Sequence, residues 1–545
     1  MVITDFLERN ARLYGLDTAI VVVSPSEKRD SAVTWREASL IESATDSPYR
    51  REINWKDFDR MANRFANLLL SREVPRETKV GILMMNCIEY LPIYFGILKA
   101  GCIAVPMNYR YSSDEIKYCL ELADVEILVF GPEFTARMDV IADAIPQVKT
   151  LLFVGKNGPG YTENCIRVMS FTSPEPPPIA LNEDDFAAIY FSSGTTGFPK
   201  AILHRHRALY CSCLTEQKHH MQTKDDVFLC IPPLYHTGAK MHWFGSLMTG
   251  GKAVILRGTK PEWILRTATE EKCTIVWLLV PWVQDILDAI ESKRIALDDY
   301  LLSQWRLMHA GAQPVPPSLI RRWLKVFPHH QYDTNYGLSE SIGPGCVHLG
   351  VGNTEKVGAI GVPGYLWEAE IVKEDGTTEV EGEEVGELAV KGPGVMECYY
   401  KNPDATKEIL KNGWLLTGDM AKRDAEGFIY LVDRKKDVII TGGENLYPVQ
   451  IEDYLRKFDK IKDVAVIGLP DHRLGEIAAA VISVKDGLTC TEEEIIDFCR
   501  DLPRYKRPKR IIFAEVPRNP TGKIEKPLLR RRYCADNLVE QQIQG

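Results

Sequence analysis

Short apolar runs separated by helix-length segments recur over the first 310 residues, and they restrict the fold more than any other feature of the chain. VGILMM (80–85) leads into a helical stretch to Ala100, Gly101 stands where a helix C-cap would, and CIAVPM (102–107) follows. That order spells strand, helix, strand. EILVF (126–130), TLLFV (150–154), AAIYF (187–191), VFLC (227–230), KAVIL (252–256), TIVWLLV (274–280) and RLMHA (306–310) repeat the grammar. Runs that are apolar at successive positions belong to parallel strands covered on both faces. Phe58, Met61, Ala62, Phe65, Leu68 and Leu69 fall at helical spacing and predict one apolar face over 56–70.

After about residue 355 the texture changes. Glycines and acidic residues crowd the stretch, and EAEIV and GELAV alternate with turn signals as hairpins do. From 437 the pattern is again compact, with YPVQIEDYLRKF and EEEIIDFCRDL as helices and VAVIGLP and AAAVISV as strands. The expected fold class is α/β. A large N-terminal domain of layered sheets covers 1–434, its part from about 355 being a β-rich subdomain, and a small mobile α+β domain covers 437–545.

Sixty-six Lys and Arg against 75 Asp and Glu leave a net charge of −9, which argues against a nucleic-acid binder held by bulk charge. Any nucleotide must be gripped locally. MVITDFLERN lacks the basic start and apolar run of a secretory signal, and no stretch approaches a membrane span, so a cytoplasmic protein is expected. The 13 cysteines form no C-x-x-C pair; Cys211 and Cys213 alternate as in a strand. They read as reduced packing thiols rather than metal ligands.

The stretch from Tyr190 to Lys200 leaves an apolar strand and crowds Ser192, Ser193, Gly194, Thr195, Thr196 and Gly197 ahead of Lys200. The glycines let backbone N–H groups converge, the hydroxyls add donors and Lys200 adds charge, as the phosphates of ATP require. A plain Ser/Thr/Gly surface turn is the alternative. The spacing is not G-x-x-x-x-G-K-[ST], which disfavours a P-loop ATPase.

FSSGTTGFPK (191–200), YGLSES (336–341), LLTGDMAKRDAEGFIYLVDRKKDVIITGGENLYP (415–448) and NPTGKIEK (519–526) resemble, in order, the signature blocks of the AMP-forming acyl-CoA synthetases. This adenylating superfamily is shared with luciferases and peptide-synthetase adenylation domains. The resemblance implies that a carboxylate and ATP give an acyl-adenylate and pyrophosphate, and that the thiol of CoA then displaces AMP.

It also implies roles for particular residues. Lys523 stabilises the adenylation transition state, where charge builds on phosphoryl oxygens. Asp419 accepts from the ribose hydroxyls, Arg434 donates near ribose and phosphate, and Tyr336 stacks on adenine. Gly311, Ala312 and Gln313 line the adenine and acyl sites. Glu340 and Thr196 hold Mg²⁺ through ATP. Lys436 marks the hinge, Gly443 flanks the pantetheine tunnel, and His236 stands at the pocket mouth. Trp243, Trp277, Trp282 and Leu279 supply apolar bulk suited to a fatty or aromatic acid. His236-Thr237 offers no charge for an amino-acid ammonium group. An adenylating ligase loading a carrier protein, a nucleotide-binding scaffold without activity, and a homodimer all remain open at this level.

Overall fold

The computed structural model describes residues 1–25, 50–192, 199–312, 315–441, 444–518 and 524–534. Two sheets dominate the first 400 residues. At the centre of one, Phe186–Phe191, Ile103–Pro106, Lys79–Leu83, Val125–Phe130 and Thr150–Phe153 lie side by side and parallel. Ala201–Arg205 and Cys398–Tyr399 extend this sheet antiparallel at one edge, and Glu163–Asn164 ends the other. The second sheet runs Gln331–Asp333, Leu307–Gly311, Ile275–Leu279, Val227–Cys230, Lys252–Leu256 and Thr18–Val23 in parallel, with Arg50–Asn54 antiparallel at its end. Each continuous apolar run of the sequence is a strand here, because each is covered on both faces.

The helices Trp55–Ser71, Tyr90–Lys99, His206–His220 and Thr237–Thr249 pack between the sheets, in one core with Ile82 and Ala104 of the first and Phe228 and Ile255 of the second. Tyr90–Lys99 is buried at every position, so it is apolar all round rather than striped. A Cβ on Gly96 would lie 2.6 Å from the Cβ of Phe65 and 2.7 Å from the carbonyl oxygen of Ala62, so glycine sets the approach of these two helices. Lys99, buried with them, is neutralised by Asp59 at 2.8 Å and Glu8 at 2.7 Å and donates to Asn63.

Two expectations fail in this layer. Cys211 and Cys213 belong to the helix His206–His220, not to a strand. The helix is covered on opposite sides, Cys213 facing the central core and Cys211 the cluster around Tyr336 and Trp367, so burial at i and i+2 does not report strand alternation. Trp243 is not pocket bulk either: it is fully buried, with ring centroids 6.1 Å from Phe58 and 5.9 Å from Phe95. The cysteines are all free, nine of them buried and the other four half-buried.

Asn335–Leu338, Gly343–His348 and Val362–Pro363 make a small antiparallel sheet. Next comes an antiparallel sheet of Glu368–Val372, Gly386–Lys391, Trp414–Arg423 and Leu410–Lys411, with Ile429–Arg434 also pairing Trp414–Arg423. The smaller C-terminal part is a sheet built on the long hairpin Ile461–Asp471 and Gly475–Val484, with Ile439–Thr441 and Arg510–Phe513 beside the latter. Helices Pro448–Leu455 and Glu492–Phe498 cover one face of it. Among the described residues no helix is long and apolar enough to cross a membrane.

Candidate active site

The hydroxyl-rich segment is anchored at its two ends. Ser192, just past the strand Phe186–Phe191, donates its N–H to the carbonyl of Lys200 at 3.0 Å, and the N–H of Lys200 donates to Ser192 Oγ at 3.0 Å. Both ends are thereby held at the top of an antiparallel pair. Ser193, Gly194, Thr195, Thr196 and Gly197 lie outside the described residues, as do Gln313, Gly443 and Lys523.

From this stem Lys200 extends its ammonium over the ring of Tyr399, 4.6 Å from the centroid. Tyr399 donates its hydroxyl to Glu340 Oε1 at 2.7 Å, and burial, then the Glu340 charge, raise the phenol above its ordinary pKa. Glu340 sits in a single turn, Ser339–Ser341, that is fixed from two sides. Its carbonyl accepts from Met396 N at 2.8 Å, and the carbonyl of Ser339 pairs with His204 Nε2 at 2.8 Å. Burial pushes His204 down to about 4, so the ring is neutral and donates to that carbonyl. The second carboxylate oxygen of Glu340 takes no hydrogen bond among the described residues. Tyr399 had no local sequence mark: it arrives because a two-residue strand pairs with Ala201–Arg205.

A second group forms around Asp419, which lies inside the strand Trp414–Arg423. Asp419 and Arg434 are directly opposed in the antiparallel register, and Arg434 Nε lies 3.3 Å from Asp419 Oδ1. Tyr336, from Asn335–Leu338, donates its hydroxyl to Asp419 Oδ2 at 2.5 Å. Burial opposes the charge of Arg434, but Asp419 and Tyr336 outweigh it and raise its pKa. Burial, followed by Asp419, lifts the phenol of Tyr336 well above its usual value.

Glu387 joins this pair to the chain beyond it. Its carboxylate accepts from the N–H of Gly418 at 2.9 Å and from Lys435 Nζ at 2.8 Å. Gly418 has φ +73, a conformation glycine adopts without cost, and it bends the strand so that Asp419 meets Tyr336. Past Arg434 a single turn, Lys435–Asp437, leads into the C-terminal sheet. Two contacts tie it to the C-terminal part, Val449 N to Asp433 at 2.9 Å and Arg530 to Asp437 at 2.8 Å, and Asp433 also accepts from its neighbour Arg434 N at 2.7 Å. Lys526 is paired with Glu452 at 2.8 Å on the same side.

His236 caps the helix Thr237–Thr249, its Nδ1 accepting from Gly238 N at 3.3 Å. A Cβ on Gly238 would stand 3.1 Å from the ring of Trp277, so backbone and indole meet closely there. Trp277 stacks on His242 with centroids 4.1 Å apart. Gly311 ends the strand Leu307–Gly311, and Ala312 follows in a left-handed conformation, φ +67. The structure therefore brings together Ser192, Lys200 and Glu340, and separately Tyr336, Asp419 and Arg434.

The AMP-binding enzyme family matches residues 29–400, and the AMP-binding enzyme C-terminal domain matches 450–523. The chain belongs to the AMP-binding enzyme family. A long-chain-fatty-acid–CoA ligase of Mycobacterium tuberculosis is 30% identical over 511 residues, covering 93% of this chain and 98% of that one. A feruloyl-CoA synthase from an Amycolatopsis species is 31% identical, over 88% and 94% of the two chains. The ATP-bound crystal structure of MatB from Rhodopseudomonas palustris superposes with a TM-score of 0.84 at 26% identity, covering 98% and 99%. This AMP-binding enzyme is an acid–thiol ligase of the AMP-forming acyl-CoA synthetase class, using ATP and CoA.

Proposed function

We propose that the protein activates a fatty or aromatic carboxylic acid with ATP and Mg²⁺, forming an acyl-adenylate that CoA then converts to acyl-CoA. The observation that carries this reading is the Tyr336–Asp419–Arg434 group, a carboxylate held at both oxygens by a phenol and a guanidinium. Asp419 accepts from the ribose hydroxyls, Arg434 donates beside them, and Tyr336 presents its ring to adenine. Ser192 through Gly197 with Lys200 hold the phosphates.

Glu340 fits a magnesium role. One of its oxygens is fixed by Tyr399 and the other is open among the described residues, and Mg²⁺ prefers few carboxylate oxygens completed by phosphates and water. The ion, when bound, offsets charge on the phosphates together with Thr196. Lys523 completes adenylation from the C-terminal domain; Lys436 is the pivot, and Gly443 then borders the pantetheine path. His236 and Trp277 border the acyl group. Thirteen free cysteines suit the cytoplasm.

The test is pyrophosphate release across short, medium and long fatty acids and benzoates, with and without CoA. Release with one acid class, followed by CoA-dependent AMP formation, is the expected result. Adenylation of none of these acids, or AMP release indifferent to CoA, defeats the reading.

A further inference from the structure

Beside Gly311, four imidazoles and two carboxyl groups are packed together away from solvent. Glu216 and His220 lie one turn apart on the helix His206–His220, His309 is in the strand Leu307–Gly311, and Asp333 ends Gln331–Asp333. His242 and His348 close the group. None of the six is more than 1% exposed.

Three ligand atoms from three different elements converge. His220 Nε2 is 3.0 Å from His309 Nδ1 and 3.6 Å from Asp333 Oδ2, and His309 Nδ1 is 3.9 Å from Asp333 Oδ2. Ligands bound at about 2.0–2.2 Å around a tetrahedral zinc ion stand roughly 3.3–3.5 Å apart, which these separations bracket. Asp333 is aimed: its Oδ1 accepts from Thr334 N and Gly350 N, at 2.8 and 2.9 Å, leaving Oδ2 to face the imidazoles. His348 Nδ1 stands 3.2 Å from that same Oδ2.

The surroundings are those of a metal ligand set. Glu216 Oε2 lies 3.3 Å from Nδ1 of His220, the nitrogen opposite the convergence point, as in carboxylate–histidine–metal arrangements. Yet neither atom makes a hydrogen bond in the chain alone, and His309 Nε2 is likewise buried without a partner. An ion on Nε2 of His220 leaves the proton of that ring on Nδ1, facing Glu216 Oε2, while Nε2 of His309 is the ring nitrogen that the ion does not take. Two carboxyl groups are enclosed, and no lysine or arginine side chain among the described residues pairs with them; Arg306, ion-paired with Asp226 at 2.8 Å, touches this cluster through the backbone carbonyl of His220, at 2.9 Å. A divalent cation supplies the missing countercharge.

We propose that His220, His309 and Asp333 bind one divalent first-row transition ion of the zinc class, with Glu216 orienting His220. The ion ties a central helix to two neighbouring strands of the second sheet, one of which ends in Gly311. Its role is structural, it is separate from the magnesium reading of Glu340, and it holds whatever acid the enzyme activates.

The test is elemental analysis of the full-length chain purified without chelator from zinc-supplemented medium, with cobalt substitution as a spectroscopic probe. About one zinc per chain, and visible tetrahedral Co²⁺ absorption that His220→Gln lacks, are the expected results. Because His220→Gln can fail to fold, the wild-type chain is also stripped with chelator and its melting temperature measured as Zn²⁺ or Mg²⁺ is added. A rise with zinc alone supports the site. A chain that purifies without transition metal and whose melting temperature zinc leaves unchanged overturns it.

Discussion

Tyr336 and Asp419, 83 positions apart in sequence, share a hydrogen bond of 2.5 Å at the crossing of two small sheets. The partner opposite is Arg434, so one carboxylate is fixed from two directions before any nucleotide arrives. Hydrogen bonds to charged groups contribute about 1.5–3 kcal/mol. Tyr336→Phe removes one of them, and the expected result is a rise in KM for ATP of about tenfold in pyrophosphate exchange. An unchanged KM would show that Asp419 is positioned without the phenol.

Tyr399 holds Glu340 and lies under Lys200, so it acts on both through contact rather than by touching substrate. Tyr399→Phe keeps the ring beneath Lys200 but frees the carboxylate. A higher Mg²⁺ requirement with little change in KM for the acid is expected. Equal shifts in both would point to general disruption.

Lys523→Ala is expected to abolish adenylate formation while leaving thioester formation from supplied acyl-adenylate largely intact. Measuring the half-reactions separately decides it: equal loss of both contradicts a lysine used in only one.

Burial pushes the carboxyl of Asp433 up to about 6, while Lys526 and the N–H groups of Val449 and Arg434 pull the other way. Its folded value is therefore above the unfolded one of about 3.9, so its contribution is complete below that pH and lost as pH rises through 6. Asp433→Asn removes the titration. The unfolding free energy of the variant should gain about 2 kcal/mol on that of the wild type between pH 4 and 7. A difference that stays flat across the interval contradicts the assignment.

Gly96→Ala tests the helix contact. In an exposed helix the change is stabilising by about 1 kcal/mol, but here the new methyl meets Phe65 and Ala62. Overpacking of this kind costs about 1–3 kcal/mol, so the melting temperature should fall. A rise would mean the helices separate freely.

The sheets were legible because buried parallel strands carry their signal at every residue, as in Ile275–Leu279 and Ile103–Pro106. The nucleotide residues were legible through motif blocks, not through periodicity. What the sequence concealed depends on distant segments meeting. Tyr399 is one of two residues in a strand too short to leave a pattern. Trp243 and Trp277 read alike, yet one is enclosed by Phe58 and Phe95 and the other lies against His242 and Gly238. The histidines of the buried cluster are spread from 220 to 348, with no ligand spacing to announce them.

The paired bonds between Ser192 and Lys200 have a practical corollary. They make the seven intervening positions an exchangeable cassette: entry and exit are fixed to the sheet by backbone atoms and one hydroxyl, whatever sequence is spliced between. Libraries randomised there would vary nucleotide affinity while sparing the architecture that receives it.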